Sequence, residues 1–214
     1  RTGVFTGGAN AVYWLRIKEK QSNGNIVVSN ITERAKRKVD DVVCEIEPDL
    51  VYPLVQGSDL QVWTVNTKSY ILCPHTAETK MVPIDENIMR QEYPLTYDYL
   101  LQFRTELDER KGFAGWEKQI QEENFYAILR IGEYTFSKFK VAWRYIAREF
   151  ITAVITERED SYLGNKLLVP NEKIMYIGTD CEEEAYYLCG MLSSAPVGFA
   201  VKSYMNPTSI RSEE

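Results

Sequence analysis

The chain has 214 residues, with 31 acidic and 25 basic side chains for a formal net charge of −6, and 44% of its residues are hydrophobic. That balance fits a folded globular chain of one large domain or two lobes, and excludes a uniformly basic nucleic-acid binder and a low-complexity tract. No apolar run approaches the roughly 18 residues needed to cross a bilayer, and no basic-then-apolar leader marks secretion, so a cytoplasmic location without a membrane partner is expected.

The sequence opens at Arg1 and enters Thr2-Gly3-Val4-Phe5 with no lead-in, which predicts a fragment of a longer chain. The expected organisation is a single domain over 1–214, with possible lobes at 1–90 and 91–214. Alternating apolar residues predict a strand over Val12–Lys18, with Tyr13, Leu15 and Ile17 on one face. Asn23-Gly24 predicts a hairpin turn before a strand over Ile26–Ser29. Val39–Ile46 and Ser69–Cys73 are the next strand candidates, the last stopped by Pro74. Thr96, Leu100, Phe103 and Leu107 then fall on one helical stripe, predicting a central helix over 93–111 with Gly112 as its stop. Residues 112–124 are polar and glycine-bearing, and suit a loop or a short helix. Further strands are predicted over Phe125–Ile131, Lys140–Ala147, Ala153–Thr156, Lys166–Val169 and Lys173–Ile177, with a turn at Gly164-Asn165.

Two helices close the chain. Thr179-x-x-Glu182 and Asp180-x-x-Glu183 both fit a capping box, and Cys181, Ala185, Leu188 and Leu192 repeat at helical spacing. Pro196 suits the first turn of a second helix striped by Val197, Ala200, Val201 and Tyr204. The resulting class is α+β: mainly antiparallel strands, one central helix and two C-terminal helices.

The four cysteines, Cys44, Cys73, Cys181 and Cys189, have no zinc-knuckle or redox spacing and read as free thiols. Charge is unevenly spread. Arg130, Lys138, Lys140, Arg144 and Arg148 are opposed locally only by Glu133, and Arg34, Lys36, Arg37 and Lys38 form a second basic run. On a strand, Lys138, Lys140 and Arg144 share one face, with Trp143 and Tyr145 turned to the core and Arg148 beyond the strand end. Such a face can either hold phosphates or simply be solvated.

Three chemistries are to be weighed. Pro48-Asp49 followed by Glu78-x-Lys80 resembles a Mg²⁺-dependent restriction-nuclease pattern, in which Asp49 and Glu78 would hold the metal and Lys80 would assist water. The acidic-x-lysine part follows Pro74-His75-Thr76-Ala77, a loop by composition, whereas that chemistry is usually built on a core strand. His75 is the only histidine and reads as a hydrogen-bonded loop residue. No Gly-x-Ser-x-Gly elbow or phosphate-binding glycine loop is present. Asn206-Pro207-Thr208 lacks the second proline and the aromatic residue of an adenine-methylase motif, so no S-adenosylmethionine cofactor is expected within these residues.

Gly3-Val4-Phe5-Thr6-Gly7-Gly8-Ala9-Asn10-Ala11-Val12-Tyr13 resembles the motif opening the target-recognition domain of TaqI-like adenine DNA methylases and single-chain type II restriction–modification enzymes. Leu54 to Leu60, Tyr93 to Leu100 and Tyr134 to Trp143 are similar to later segments of that family, in the same order. Gln56 and Ser58 stand where the family usually has a basic residue beside Gly57. The resemblance implies a non-catalytic reader of double-stranded DNA, partnered by an upstream methyltransferase domain of the same chain that uses S-adenosylmethionine. Lys138, Lys140, Arg144, Arg148, Thr6 and Asn10 are the candidate DNA-binding residues. The residues alone predict that Asn10 closes the Thr6-Gly7-Gly8 turn. A restriction nuclease and a protein-interaction domain are the alternatives.

Overall fold

The computed structural model describes residues 1–33, 39–111, 114–147 and 149–204, and it has the expected α+β architecture with mainly antiparallel strands. The strand expected from Val12 starts two residues later. Asn10–Tyr13 (α1) close one helical turn, and β1 runs over Trp14–Lys20. The cause is the preceding turn, where Gly7 and Gly8 hold φ of 69° and 86°. The Tyr13 hydroxyl is then carried into the core, where it donates to the Tyr126 carbonyl at 2.9 Å. In β1 the alternation is as expected, with Leu15 and Ile17 buried and Arg16 and Lys18 exposed.

β2 (Ile26–Asn30) follows the Asn23-Gly24 turn, and β3 (Val43–Ile46) is shorter than expected. Asn30 explains the difference. Its carboxamide donates to the carbonyls of Ala11 and Asp40 and accepts from the Val42 N–H, so a side chain takes the Asp40 carbonyl and the Val42 N–H. β4 (Val51–Val55), the short ribbon β5 (Leu60–Gln61) and β6 (Thr64–Val65), and β7 (Ser69–Leu72) complete this part.

Helices cover the resulting sheet. α2 (Glu86–Glu92) is capped by Asp85, whose carboxylate accepts from the Asn87 N–H at 2.9 Å. The central helix expected over 93–111 is divided at Phe103 into α3 (Pro94–Gln102) and α4 (Arg104–Asp108), yet Thr96, Leu100, Phe103 and Leu107 are all buried as one stripe. α5 (Trp116–Glu123) occupies the polar stretch, and Gly112 lies outside the described residues.

Residues 125–131 do not form the expected strand; only Leu129 pairs, with Phe5. Side chains take several of the other backbone groups. Arg110 donates to the carbonyls of Phe125 and Ala127, Tyr13 donates to that of Tyr126, and His75 accepts the Ile128 N–H.

A second sheet is built from β8 (Phe139–Arg144), β9 (Thr152–Thr156) and, after the ribbon β10 (Arg158–Asp160) and β11 (Gly164–Lys166), from β13 (Ile174–Thr179) in the order β13-β8-β9. Gly164 and Asn165 belong to β11, and the turn precedes them, where Asp160 accepts from the N–H groups of Tyr162 and Leu163. β12 (Val169–Pro170) returns to the first sheet, pairing parallel with β4 in the order β12-β4-β7-β1-β2-β3. α6 (Glu182–Leu192) and α7 (Ala195–Tyr204) follow. The helix cap of α6 falls at Cys181 without a side-chain bond. The expected capping residues act otherwise: Thr179 accepts the Cys181 N–H and bonds Glu184, while Asp180 accepts the Lys138 N–H.

The hydrophobic side chains pack into separate cores. The largest core gathers residues 4–131 with Val169, since α3 and the buried 125–131 segment lie on the first sheet. The second core joins Ala142, Ala153, Ile155, Ile174 and Tyr176 to Val55 and Leu60, and α6 covers the opposite face through Ala185 and Cys189. The opening segment stitches these units together: Thr2 bridges Met175, Val4 bridges Asn171 and Phe5 bridges Leu129. No helix among the described residues is long and apolar enough to cross a membrane.

Candidate nucleic-acid interface

Thr6 is buried and donates its hydroxyl to the Asn10 carboxamide oxygen at 2.5 Å, while its carbonyl accepts from Ala9 N–H and from Arg110. Thr6 is therefore a scaffold residue that shapes the turn. Asn10 spends its oxygen on Thr6, and its amide nitrogen remains as its donor.

That turn faces the segment 54–60. Gln56, Gly57 and Ser58 open a 3₁₀ turn held by Asp59, which accepts the Gln56 N–H at 2.8 Å, while the Gln56 amide donates to Ser69. Burial raises the Asp59 carboxyl above its ordinary range. Asn10, Trp14, Gln56 and Ser58 line two adjoining hollows. One, of about 430 Å³, includes Phe5 and Lys173; the other, of about 520 Å³, includes Arg16 and Lys68. The indole N–H of Trp14 is buried there with no acceptor among the described residues. Arg16, Glu33, Asp59 and Lys68 also line the second hollow, with Arg16 paired to Glu33 at 2.7 Å. Of the residues shared by both hollows, Asn10, Gln56 and Ser58 are uncharged and polar, and suit hydrogen-bonded recognition.

The expected basic face does not form. Lys138 is exposed and lies 3.6 Å from Glu157. Lys140 is fully buried, with its ammonium donating to the Ser137 carbonyl at 2.7 Å. Burial pulls its pKa down to about 7. Arg144 reaches inward to the Leu60 carbonyl at 2.6 Å and ties β8 to the β5–β6 ribbon. Arg148 lies outside the described residues, as do Arg34, Lys36, Arg37 and Lys38. The strand is covered on both faces, so alternation along it does not yield a solvent side. Trp143 is half-buried, and Tyr145, expected in the core, is 64% exposed because the strand ends at Arg144.

The nuclease-like residues fall on turns. Glu78 and Lys80 belong to a loop closed by reciprocal Thr76–Thr79 bonds, and the Lys80 ammonium pairs with Glu133. Asp49 is exposed, its carbonyl accepting from Lys166 at 2.7 Å. Among the described residues no group of three or more His, Cys, Asp or Glu side chains could hold a metal. His75 is fully buried. Its Nδ1 pairs with the Lys80 carbonyl at 2.9 Å and its Nε2 accepts the Ile128 N–H at 3.2 Å, which fixes the neutral Nδ1–H tautomer.

Sequence reasoning missed Trp14, Lys68 and Lys173 as cleft residues. Trp14 was legible only as a strand residue, and Lys173 reaches the cleft because β13 begins just after it. Compared with protein-family models and with curated proteins, the chain matches none.

Proposed function

We propose that the chain is a target-recognition domain that reads double-stranded DNA without catalysis of its own, beside an S-adenosylmethionine-dependent adenine methyltransferase domain of the same parent chain. The observation that carries this reading is the meeting of two distant segments, 3–13 and 54–60, at one polar cleft. There Asn10, Gln56 and Ser58 offer the neutral donors and acceptors that distinguish base edges in the major groove. Lys173, Lys68 and exposed Lys138 supply the cations for backbone contacts. The net charge of −6 makes encounter with DNA slow and strongly salt-dependent.

The test is a salt titration of duplex affinity with the parent protein, on its own target and on a scrambled site. Asn10→Ala is expected to cost roughly 1–3 kcal/mol on the target alone. Lys173→Ala is expected to weaken both duplexes alike and to lower the salt slope by about one unit. Unchanged discrimination in Asn10→Ala and unchanged slope in Lys173→Ala would remove this cleft from the interface.

A further inference from the structure

Phe5 lines the Asn10 cleft, and the Arg130 guanidinium lies over its ring at 5.0 Å. Arg130 in turn lines a different, larger cleft of about 720 Å³, together with Arg1, Lys80, Met81, Trp116 and Tyr134. That size is within the roughly 300–1,000 Å³ of small-molecule sites. Its charged lining is completed by Glu117 and by Glu133, and Glu133 is committed to Lys80. Among the described residues no ion pair involves Arg1 or Arg130.

The backbone here is strained. Lys80 and Arg130 hold φ of 54° and 60°, and among the described residues only Trp63 shares that conformation without being glycine. Such a conformation is strained for any residue that carries a Cβ. Arg130 stands exposed between buried Leu129 and Ile131, so the left-handed turn aims its side chain outward. Glycine would take either position without strain. The backbone conformation itself therefore gives no reason for a cation at either, and both cations face the same cleft.

The other wall residues are complementary. Arg1 lies over the Tyr134 ring at 5.7 Å, and both Arg1 and Arg130 act on the Tyr134 hydroxyl, opposing the upward shift that burial gives it. Trp116 is 53% exposed at the head of α5, with Met81 exposed beside the same space. Two guanidinium groups and a hydroxyl suit a phosphate, whose oxygens accept charge-assisted bonds. An exposed indole offers a platform for a planar base.

We propose that this cleft binds a nucleotide unit, with its phosphate held by Arg1, Arg130 and Tyr134 and its base stacked on Trp116. The same chemistry is presented by a free mononucleotide and by an unstacked nucleotide of a DNA strand. The inference stands on this cleft's own side chains, separately from the duplex-reading cleft.

Calorimetry on the wild-type chain tests it, with adenosine and thymidine monophosphates, the parent nucleosides, inorganic phosphate and a short single-stranded oligonucleotide as probes. Nucleotides are expected to bind more tightly than either nucleosides or phosphate, and more weakly as salt rises. Arg130→Gly relieves the strained turn, so the variant should melt no lower than wild type while nucleotide affinity falls about tenfold. Trp116→Ala should remove the advantage of nucleotides over inorganic phosphate. A tighter oligonucleotide with the same Arg130 dependence identifies a strand as the source, and equal affinities identify the free nucleotide. Nucleotide binding no tighter than nucleoside binding, or unchanged in Arg130→Gly, overturns the proposal. A chain that fails the duplex test yet binds nucleotides through Arg130 keeps this site and loses the target-reading assignment.

Discussion

Gly3 and Asn171 approach so closely that a Cβ built on the glycine would stand 2.2 Å from the Asn171 carbonyl oxygen, and equally near that of Pro170. Both neighbours are backbone, already bonded through Val4 N–H to the Pro170 carbonyl. Neither can step aside without breaking the Val4–Pro170 hydrogen bond. Gly3→Ala is expected to lower stability by more than about 3 kcal/mol in urea denaturation. A loss under about 1 kcal/mol would show that the segment can shift away from β12.

Arg110 gathers the carbonyls of Thr6, Leu107, Phe125 and Ala127 around one buried guanidinium, at 2.6–3.1 Å. Lysine keeps the charge but lacks the planar fork that reaches several acceptors at once. Arg110→Lys should therefore destabilise by about 3 kcal/mol or more, nearly as much as Arg110→Ala. Retention of wild-type stability by the lysine variant would mean that charge, not geometry, is what the site requires.

Lys140 gives a prediction with a defined sign. Burial brings its pKa to about 7, partly offset by Asp180, against 10.5 for the ordinary side chain. Between those values the unfolded chain holds more protons, so native stability rises with pH through that window and carries the full penalty below it. Lys140→Met removes the penalty. The variant should exceed wild type by about 1–4 kcal/mol at pH 6 and lose that advantage toward pH 10. Equal stability of the two proteins at every pH would indicate an ammonium that reaches water.

His75 acts at lower pH. Burial depresses its pKa to about 4 despite the bond to the Lys80 carbonyl, while the unfolded residue titrates at 6.5. Stability from this group is present above 6.5 and is lost as pH falls toward 4, amounting to about 3 kcal/mol. Wild type should show that slope and His75→Asn should lack it, whatever its absolute stability. The same slope in both would assign the acid sensitivity to carboxylates.

The sequence was most informative where one physical pattern ruled. The stripe Thr96, Leu100, Phe103 and Leu107 named its buried face correctly even though Phe103 divides the helix, because burial depends on spacing and not on unbroken hydrogen bonding. Strand length was misjudged where a side chain captured the backbone, as Asn30 does beside Val42 and Arg110 does along 125–127, since such capture depends on partners far away in the chain. The basic stretch misled for a related reason. Alternation separates two faces, but only the packing of α6 on one and Leu60 on the other decides that neither is open. Asn10 was legible as a turn-closing residue, whereas Trp14 and Lys173 joined it only through the folded arrangement of strands.

The stitching of Thr2, Val4 and Phe5 to residues 175, 171 and 129 also sets an order of events during synthesis. Residues 2–5 find their partners at 171 and 175 only after most of the intervening chain has been made. Contacts so distant in sequence slow the final closure. Until then the β12 side of β4 lacks its partner strand and Gly3 has no backbone to lie against. The pairing of this opening segment is thus a late step in the closure of the fold.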